Sequence, residues 1–534
     1  MSSRRMRRGE VLRGEKTGKG EKTGKGEKVA VMVMMREEKR GKKGDRDTDR
    51  DKDSMKREGV QVKEGRMKGM VEGETKKNAE ENEIKFLRKS INLLTQRSEF
   101  SDGNSQSNPK LGKDSSPKKI LIRTRPEWEK QQKLELLITS ELKESKRSLT
   151  TPSKLKAPEP TAFEQEEMKK YPVYFQSERR IHHKADFTDE EGDPKIQKGD
   201  GVAYRYEVLS ELGRGAFGRV YKVIDHKKKE AMALKMIRNV PKLNAQSRIE
   251  ISILELSLEK DPEARSNIIR IKGSFVFRGH TCIVYELLHC NLYEHIKSND
   301  FKPTPKSLMI KFSIQILQAL AFLRLHDVVH CDVKPENIML KEENKTGLRI
   351  IDLGSSCFEH KQFYTYIQSR FYRAPEIILG VRYTPAIDMW SFGCVVAELQ
   401  RGYPLFPGKS ETDQMSMFVE LLGEPPKKVL VDATRRKKFF DENYQCKVTR
   451  NKKKSEKSLE KDRNSPSVRT SSTRRTVRSA LRTDDQLLID FVSRCLEWDP
   501  EKRMKPTEAL SHSWIVEGLP ANIRSRHKLE VGVA

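Results

Sequence analysis

Asp332, Lys334, Asn337 and Asp352 fall on one short stretch of the chain, in the strings HCDVKPEN (330–337) and IDLG (351–354). Their types suit the movement of a phosphoryl group. Such a transfer needs a carboxylate to accept the proton of the attacking hydroxyl and an ammonium to neutralise the moving phosphate. It also needs oxygen ligands to hold Mg²⁺. Asp332 would be the base and Lys334 the cation, with Asn337 and Asp352 as the metal ligands.

Other elements must position the phosphoryl donor, and candidates for them lie upstream. The run Leu212, Gly213, Arg214, Gly215, Ala216, Phe217, Gly218, Arg219, Val220 continues the strand-like YEVLSE, and its backbone amides would close over the phosphates of ATP. Alone, such a loop is weak evidence, since a plain Gly-rich turn reads the same way. AMALKMI (231–237) follows at strand distance and would send Lys235 to the α- and β-phosphates. RIEISILEL has helical apolar spacing, with Ile249, Ile253, Leu254 and Leu258 on one side, and carries Glu250 as a partner for Lys235. Tyr285, Glu286, Leu287 and Leu288 form a candidate hinge whose backbone would bind adenine. Either charge alone reads as a solvated side chain. The weight lies in the order: loop, lysine, helix glutamate, HCD, DLG, then APE (374–376) and IDMWSFGCVVAEL (387–399). This ordered set resembles the eukaryotic protein kinases. The resemblance implies an α+β, bilobal fold that uses ATP and Mg²⁺. The small lobe, about 206–285, would be an antiparallel sheet with the Glu250 helix. The large lobe, 286–515, would be mainly helical, with Arg503 paired to Glu376.

Composition divides the chain. Charged residues make up 34% and hydrophobic ones 35%, and the apolar deficit is concentrated in residues 1–155. That segment, with its repeated GEKTGK, reads as a disordered basic low-complexity tail. Within it, the stretch 82–97 has helical spacing, and a transient amphipathic segment is the better reading than a partner-binding helix. Order is expected to resume in an accessory segment, 156–205, where Thr161 would cap a helix. A basic stretch, about 446–480, reads as an exposed insertion, and 516–534 as a C-terminal tail. The net charge of +28 raises the question of nucleic acid. The basic residues are mixed with acids and lack interleaved aromatics, so solvated tails are the better reading and no nucleic acid is required. Seven cysteines, an odd number with no zinc-like spacing, suggest a reducing compartment. The run VAVMVMM is too short to span a bilayer. A monomer in the cytoplasm or nucleus, without a membrane anchor, is expected.

Several strings resemble one kinase family more narrowly. HCD, SSCFEH, YTYIQSRFYRAPE (364–376), AYRYEVL (203–209) and TAFEQEEMKKYPVYF look like the dual-specificity tyrosine-phosphorylation-regulated kinases, class II branch. The resemblance implies autophosphorylation of Tyr366, then action on Ser and Thr of protein substrates. Cys331 stands where most kinases have an activation-loop arginine, so Arg370 and Arg373 would grip the phosphotyrosine. Tyr364 is the alternative site. The resemblance also implies Ser/Thr-Pro targets with an upstream Arg, with Arg373 tolerating the Pro and Glu336 and Glu398 attracting the Arg. Three positions depart from the family pattern. DLG replaces DFG, and Gly199-Asp200-Gly201 replaces His-Asp-His. Tyr285 replaces Phe, so its hydroxyl needs a partner or solvent. A fold that only binds partners is the main rival, but none of Lys235, Glu250, Asp332, Asn337 or Asp352 is missing.

Overall fold

The structure is a computed structural model, and it describes residues 159–362, 364–447, 475–519 and 524. The expectations for the 1–155 tail, the 82–97 string and most of the insertion fall outside the described residues.

The described residues open with α1 (Ala162–Met168), begun by a capping box in which the Thr161 hydroxyl accepts from the Glu164 backbone and the Glu164 carboxylate accepts in return. A six-stranded antiparallel sheet follows. Its strands are β1 (Gly201–Val202), β2 (Tyr206–Arg214), β3 (Gly218–Asp225), β4 (Glu230–Ile237), β5 (Ile271–Phe277) and β6 (His280–Glu286), in the order β1-β2-β3-β4-β6-β5. Strand alternation decides where Lys235 goes. Met232, Leu234 and Met236 enter one apolar cluster, so the intervening Ala233 and Lys235 face the other side of the sheet. An antiparallel sheet commonly leaves one face to water. Here the accessory segment covers it: Phe187, Val202 and Tyr204 join that cluster, and Arg278 pairs with Glu167 of α1 at 2.7 Å. The expected packing of this segment on the small lobe is what the structure has.

Helix α2 (Pro241–Lys260) starts on a proline and buries Gln246, Glu250, Ile253, Leu254 and Ser257, a stripe at helical spacing. The inward face thus takes Ile253 and Leu254 as the sequence suggested, with Ile249 half-buried beside them, but it also holds Glu250 and Gln246, while Leu258 is 37% exposed. The reason is polar: the Gln246 side-chain amide donates to the Ser356 carbonyl, so a glutamine outcompetes a leucine for the inside.

The large lobe is built from α3 (Leu292–Ser298), α4 (Lys306–Leu325), α5 (Pro375–Leu379), α6 (Ala386–Arg401), α7 (Glu411–Leu422) and further short helices from Lys427–Val431 to Ser513–Glu517. Two small hairpins, β7 (Val328–Val329) with β10 (Cys357–Phe358) and β8 (Ile338–Leu340) with β9 (Leu348–Ile350), carry the loops of the site. Among the described residues α4 alone is long and apolar enough to cross a bilayer, and 67% of that stretch is buried within the core. The α6 helix is buried along nearly its whole length, with Trp390, Phe392 and Leu399 at 0% exposure. The Arg503 guanidinium grips the Glu376 carboxylate at 2.7 and 3.0 Å, both residues being buried, as the sequence suggested. The insertion is narrower than expected. Cys446 is buried and bridges Phe440, and at the other end the helix Val477–Leu481 buries Ala480 and Leu481. These small apolar side chains were hidden among the charges around them.

Candidate active site

Four groups meet beneath the small-lobe sheet. The Lys235 ammonium donates to Glu250 Oε1 and Oε2 at 2.8 and 3.0 Å and to Asp352 Oδ1 at 2.9 Å. Burial alone would lower the Lys235 pKa, but the Asp352 and Glu250 carboxylates hold the ammonium above its ordinary value. At Asp352 the desolvation cost is likewise outweighed by Lys235, and its pKa lies below the ordinary carboxylate range. Gly354 makes the close approach possible. A Cβ there would lie 3.1 Å from Asp352 Oδ1, 3.2 Å from Lys235 Nζ and 3.3 Å from Glu250 Oε2. The Tyr285 hydroxyl finds its partner here, donating to Glu250 Oε1 at 2.7 Å. Burial and that neighbouring carboxylate both push its pKa well up, so it stays a donor.

The Gly-rich loop turns directly over this cluster. Gly215 N–H donates to the Gly218 carbonyl, and the Phe217 ring lies 5.7 Å from Lys235 Nζ. Gly218 is required sterically, since a Cβ would sit 2.1 Å from the Met236 carbonyl oxygen. Leu212 is half exposed at the lip. In the hinge, the Glu286 carboxylate accepts from Arg349 at 3.1 Å and from the Arg270 backbone at 3.0 Å. Leu287 and Leu288 continue without regular structure toward α3.

Asp332 lies on the loop between β7 and β8, and both oxygens of its carboxylate are held. Oδ1 accepts from the Ser369 backbone N–H at 3.0 Å and the Ser369 hydroxyl at 2.8 Å. Oδ2 accepts from the Asn337 amide at 3.1 Å and lies 2.8 Å from the Lys334 ammonium. Lys334 also donates to the Ser369 hydroxyl at 3.1 Å. Its desolvation is outweighed by Asp332, and its pKa is raised. The loop itself hangs from the core. Buried Asp388, at the start of α6, accepts from the His330 and Cys331 backbone N–H groups at 2.8 and 3.0 Å. Burial pushes the Asp388 carboxyl up to about 6. Cys331 and Asp352 both hold positive φ, 67° and 58°. Strained backbone of this kind persists where surroundings over-determine it.

Sequence reasoning did not single out Ser369 or Asp388. Ser369 sits three residues past Tyr366 in a loop whose path no periodicity reveals. Asp388 looked like part of a buried helix string, and its acidity in that apolar run was the available signal.

The activation segment meets only part of the expectation. The Arg373 guanidinium carbon lies 4.0 Å from the Tyr366 ring centroid, while its Nε and Nη2 donate to the Ile367 and Gln368 carbonyls at 2.9 and 2.8 Å. Arg370 is instead directed to the Lys409 carbonyl at 2.9 Å, so the structure brings one of the two arginines to Tyr366. The Lys242 ammonium stands 5.1 Å over the Tyr364 ring. Glu336 is exposed and Glu398 is not. Glu398 is 2% exposed and accepts from the Tyr372 hydroxyl at 2.7 Å. Burial, with a contribution from the nearby Glu336 charge, pushes its carboxyl up to about 7.

Among the described residues no group of three or more His, Cys, Asp or Glu is placed to hold a metal unaided. Asn337 and Asp352 would supply two oxygen ligands, the Asn337 oxygen being left available because its NH₂ group donates to Asp332. That donor set fits Mg²⁺, which takes one or two protein ligands and completes its shell with phosphate oxygens and water.

Two lobes, the lysine–glutamate pair, an over-determined aspartate loop and the buried Glu376–Arg503 pair define the class: residues 206–515, more than half of the chain, match the protein kinase domain, and the chain belongs to the protein kinase family. It is 44% identical over 333 residues to human dual specificity tyrosine-phosphorylation-regulated kinase 4, covering 62% of this chain and 61% of that one. It is 42% identical over 390 residues to human dual specificity tyrosine-phosphorylation-regulated kinase 3, covering 69% and 65%. Similarity to Caenorhabditis elegans dual specificity tyrosine-phosphorylation-regulated kinase mbk-2 is 44% over 344 residues, covering 62% and 41%. Within the kinases, the chain is a member of the dual-specificity tyrosine-phosphorylation-regulated family. It spans from about two-fifths to two-thirds of the length of these relatives.

Proposed function

We propose that this chain is an active protein kinase that moves the γ-phosphoryl group of ATP, with Mg²⁺, to Ser and Thr hydroxyls of protein substrates. One observation carries the reading: Asp332 is fixed by Ser369, Asn337 and Lys334 while Lys235 is fixed by Glu250 and Asp352, so both ends of a phosphoryl transfer are assembled in one cleft. Asp332 takes the proton of the substrate hydroxyl, Lys334 neutralises charge on the moving group, and Lys235 orients the donor phosphates. The Gly-rich loop and the hinge backbone at Glu286–Leu288 hold the nucleotide. Asn337 and Asp352 would hold Mg²⁺, which would supply neutralisation of the phosphate charge.

Maturation runs through phosphorylation of Tyr366. Arg373 already lies under that ring, and Arg370 joins it by leaving the Lys409 carbonyl. A Pro after the target residue fits because Arg373 already occupies the Ile367 and Gln368 carbonyls, which then demand no N–H from substrate. Glu336 and Glu398 attract an upstream Arg, with Tyr372 releasing Glu398 as it does so. The enzyme works as a monomer in the cytoplasm or nucleus and needs neither nucleic acid nor membrane. Mass spectrometry of the purified chain with ATP and Mg²⁺ tests the reading. Phosphate on Tyr366 together with turnover of a Ser-Pro substrate supports it, and neither product forming overturns it.

A further inference from the structure

The nucleotide loop is gripped from outside the kinase domain. Arg214 and Arg219 are a directly opposed cross-strand pair at the base of the Gly215–Gly218 turn. Opposed like charges repel, yet here they share an anion. Asp193 belongs to the acidic turn DEEGD (189–193), upstream of the matched kinase domain, and is 0% exposed. Its Oδ2 lies 2.8 Å from Arg214, 3.7 Å from Arg219 and 3.0 Å from Arg238 Nη2, while Oδ1 accepts from Arg238 Nε at 2.9 Å. Glu191 adds a second contact to Arg214 at 3.0 Å, and Asp189 lies 3.8 Å from Arg219.

The acidic turn is itself rigid. Asp189 Oδ1 accepts from the Glu191 and Asp193 backbones, and the Asn239 N–H donates to the Gly192 carbonyl. Arg238 completes the connection, because its backbone N–H donates to the carbonyl of Phe217 at the tip of the loop. Desolvation works against the Asp193 charge, but the three guanidinium groups overcome it and lower its pKa.

We propose that Asp193 is a positioning residue that clamps the Gly-rich loop through Arg214, Arg219 and Arg238, and thereby sets the affinity for nucleotide. The inference rests on the reading of residues 213–218 as the nucleotide loop. Its logic is preorganisation: a loop already held in place loses less freedom when the nucleotide arrives. An upstream segment therefore acts on the nucleotide step without touching the nucleotide.

Steady-state kinetics of the full chain test this. Asp193→Asn and Arg214→Gln are each expected to raise KM for ATP about fivefold or more, with KM for the protein substrate unchanged and kcat unchanged or raised by faster product release. Arg214→Lys, which keeps a cation against Asp193 and Glu191, is expected to stay near the parent. If Asp193→Asn fails to fold, Arg214→Gln still decides, since it leaves the Asp193–Arg238 pair intact. A fall in kcat at constant KM would show only a loss of folded enzyme and overturn the clamp. So would a fall in KM for ATP, the sign of freed guanidinium groups turning to the phosphates. Gly215→Val separates the two levels of the argument, because an added Cβ at Gly215 meets nothing within 4 Å and the fold should accept it. If ATP affinity ignores that change, the nucleotide-loop reading itself falls. If it responds while the Asp193 and Arg214 variants do not, the clamp alone is wrong.

Discussion

The loop that carries Asp332 and the loop that turns over Lys235 are both short connections between strands, yet they are held in opposite ways. The Asp332 loop is suspended from the interior. Buried Asp388 takes two of its backbone N–H groups, and Ser369, Asn337 and Lys334 fix the carboxylate from other directions. The Gly-rich loop has its tip exposed and is held by ion pairs to residues that precede the kinase domain. Buried, multiply bonded polar groups, Asp193 among them, are costly to disturb, whereas the half-exposed Arg214 that links the loop to it is open to water and screened by salt. The chemistry is therefore anchored to the core, and the nucleotide grip is left adjustable from outside.

Substitutions at the two loops test that contrast. Asp332→Asn should lower kcat at least about a hundredfold, since the amide cannot take the proton, while leaving nucleotide binding close to the parent. Turnover near the parent value would remove Asp332 as the base. Asp388→Ala should act on the same loop through the fold. It leaves the His330 and Cys331 N–H groups buried without an acceptor, at about 1–3 kcal/mol each, and denaturant unfolding should register a loss of that size. An unchanged unfolding midpoint would mean that the loop does not depend on α6.

Tyr366→Phe should lower activity more than Tyr364→Phe, because Arg373 lies under the Tyr366 ring whereas the cation over the Tyr364 ring is Lys242 of the small lobe. Equal effects would break the assignment. Tyr285→Phe is expected to be milder, about tenfold in kcat/KM, the scale of one hydrogen bond to a charged group. Full activity would show that Glu250 needs only Lys235 to hold it.

The smallest effect concerns pH. Glu398, with its carboxyl pushed up to about 7, is largely neutral at pH 6 and charged at pH 8. The preference for Arg-containing over Ala-containing peptides should therefore grow across that window and become flat in Glu398→Gln. Stability moves the other way. A carboxyl with a raised folded pKa contributes most below its ordinary pKa, and that contribution is lost as pH rises through about 7.

Much of this was legible in the sequence, for identifiable reasons. The order of Lys235, Glu250, Asp332, Asn337 and Asp352 survives because the chemistry constrains residue type and spacing together. The antiparallel small-lobe sheet was expected from the kinase resemblance, and the Thr161 cap from a local motif. Helix α2 shows what periodicity missed. Its inward stripe contains Gln246 and Ser257, which only their tertiary partners explain. Ser369 and the direction of Arg370 depend on the course of an irregular loop. The acidic turn at 189–193 was read only as part of the accessory segment that packs on the small lobe, and only folding shows three arginines converging on it. The buried ends of the insertion were hidden because Cys446 and Ala480 are small apolar residues beside a charged run.

Those two ends have a consequence for how the chain tolerates change. Phe440 bridges Cys446 on one side, and Leu481 is fully buried on the other. Tolerance to substitution therefore stops abruptly at both points: Leu481→Ala would empty a filled site in the core at a cost of about 2–5 kcal/mol. The Glu376–Arg503 pair, 127 residues apart in sequence, holds both ends within one closed circuit of the fold.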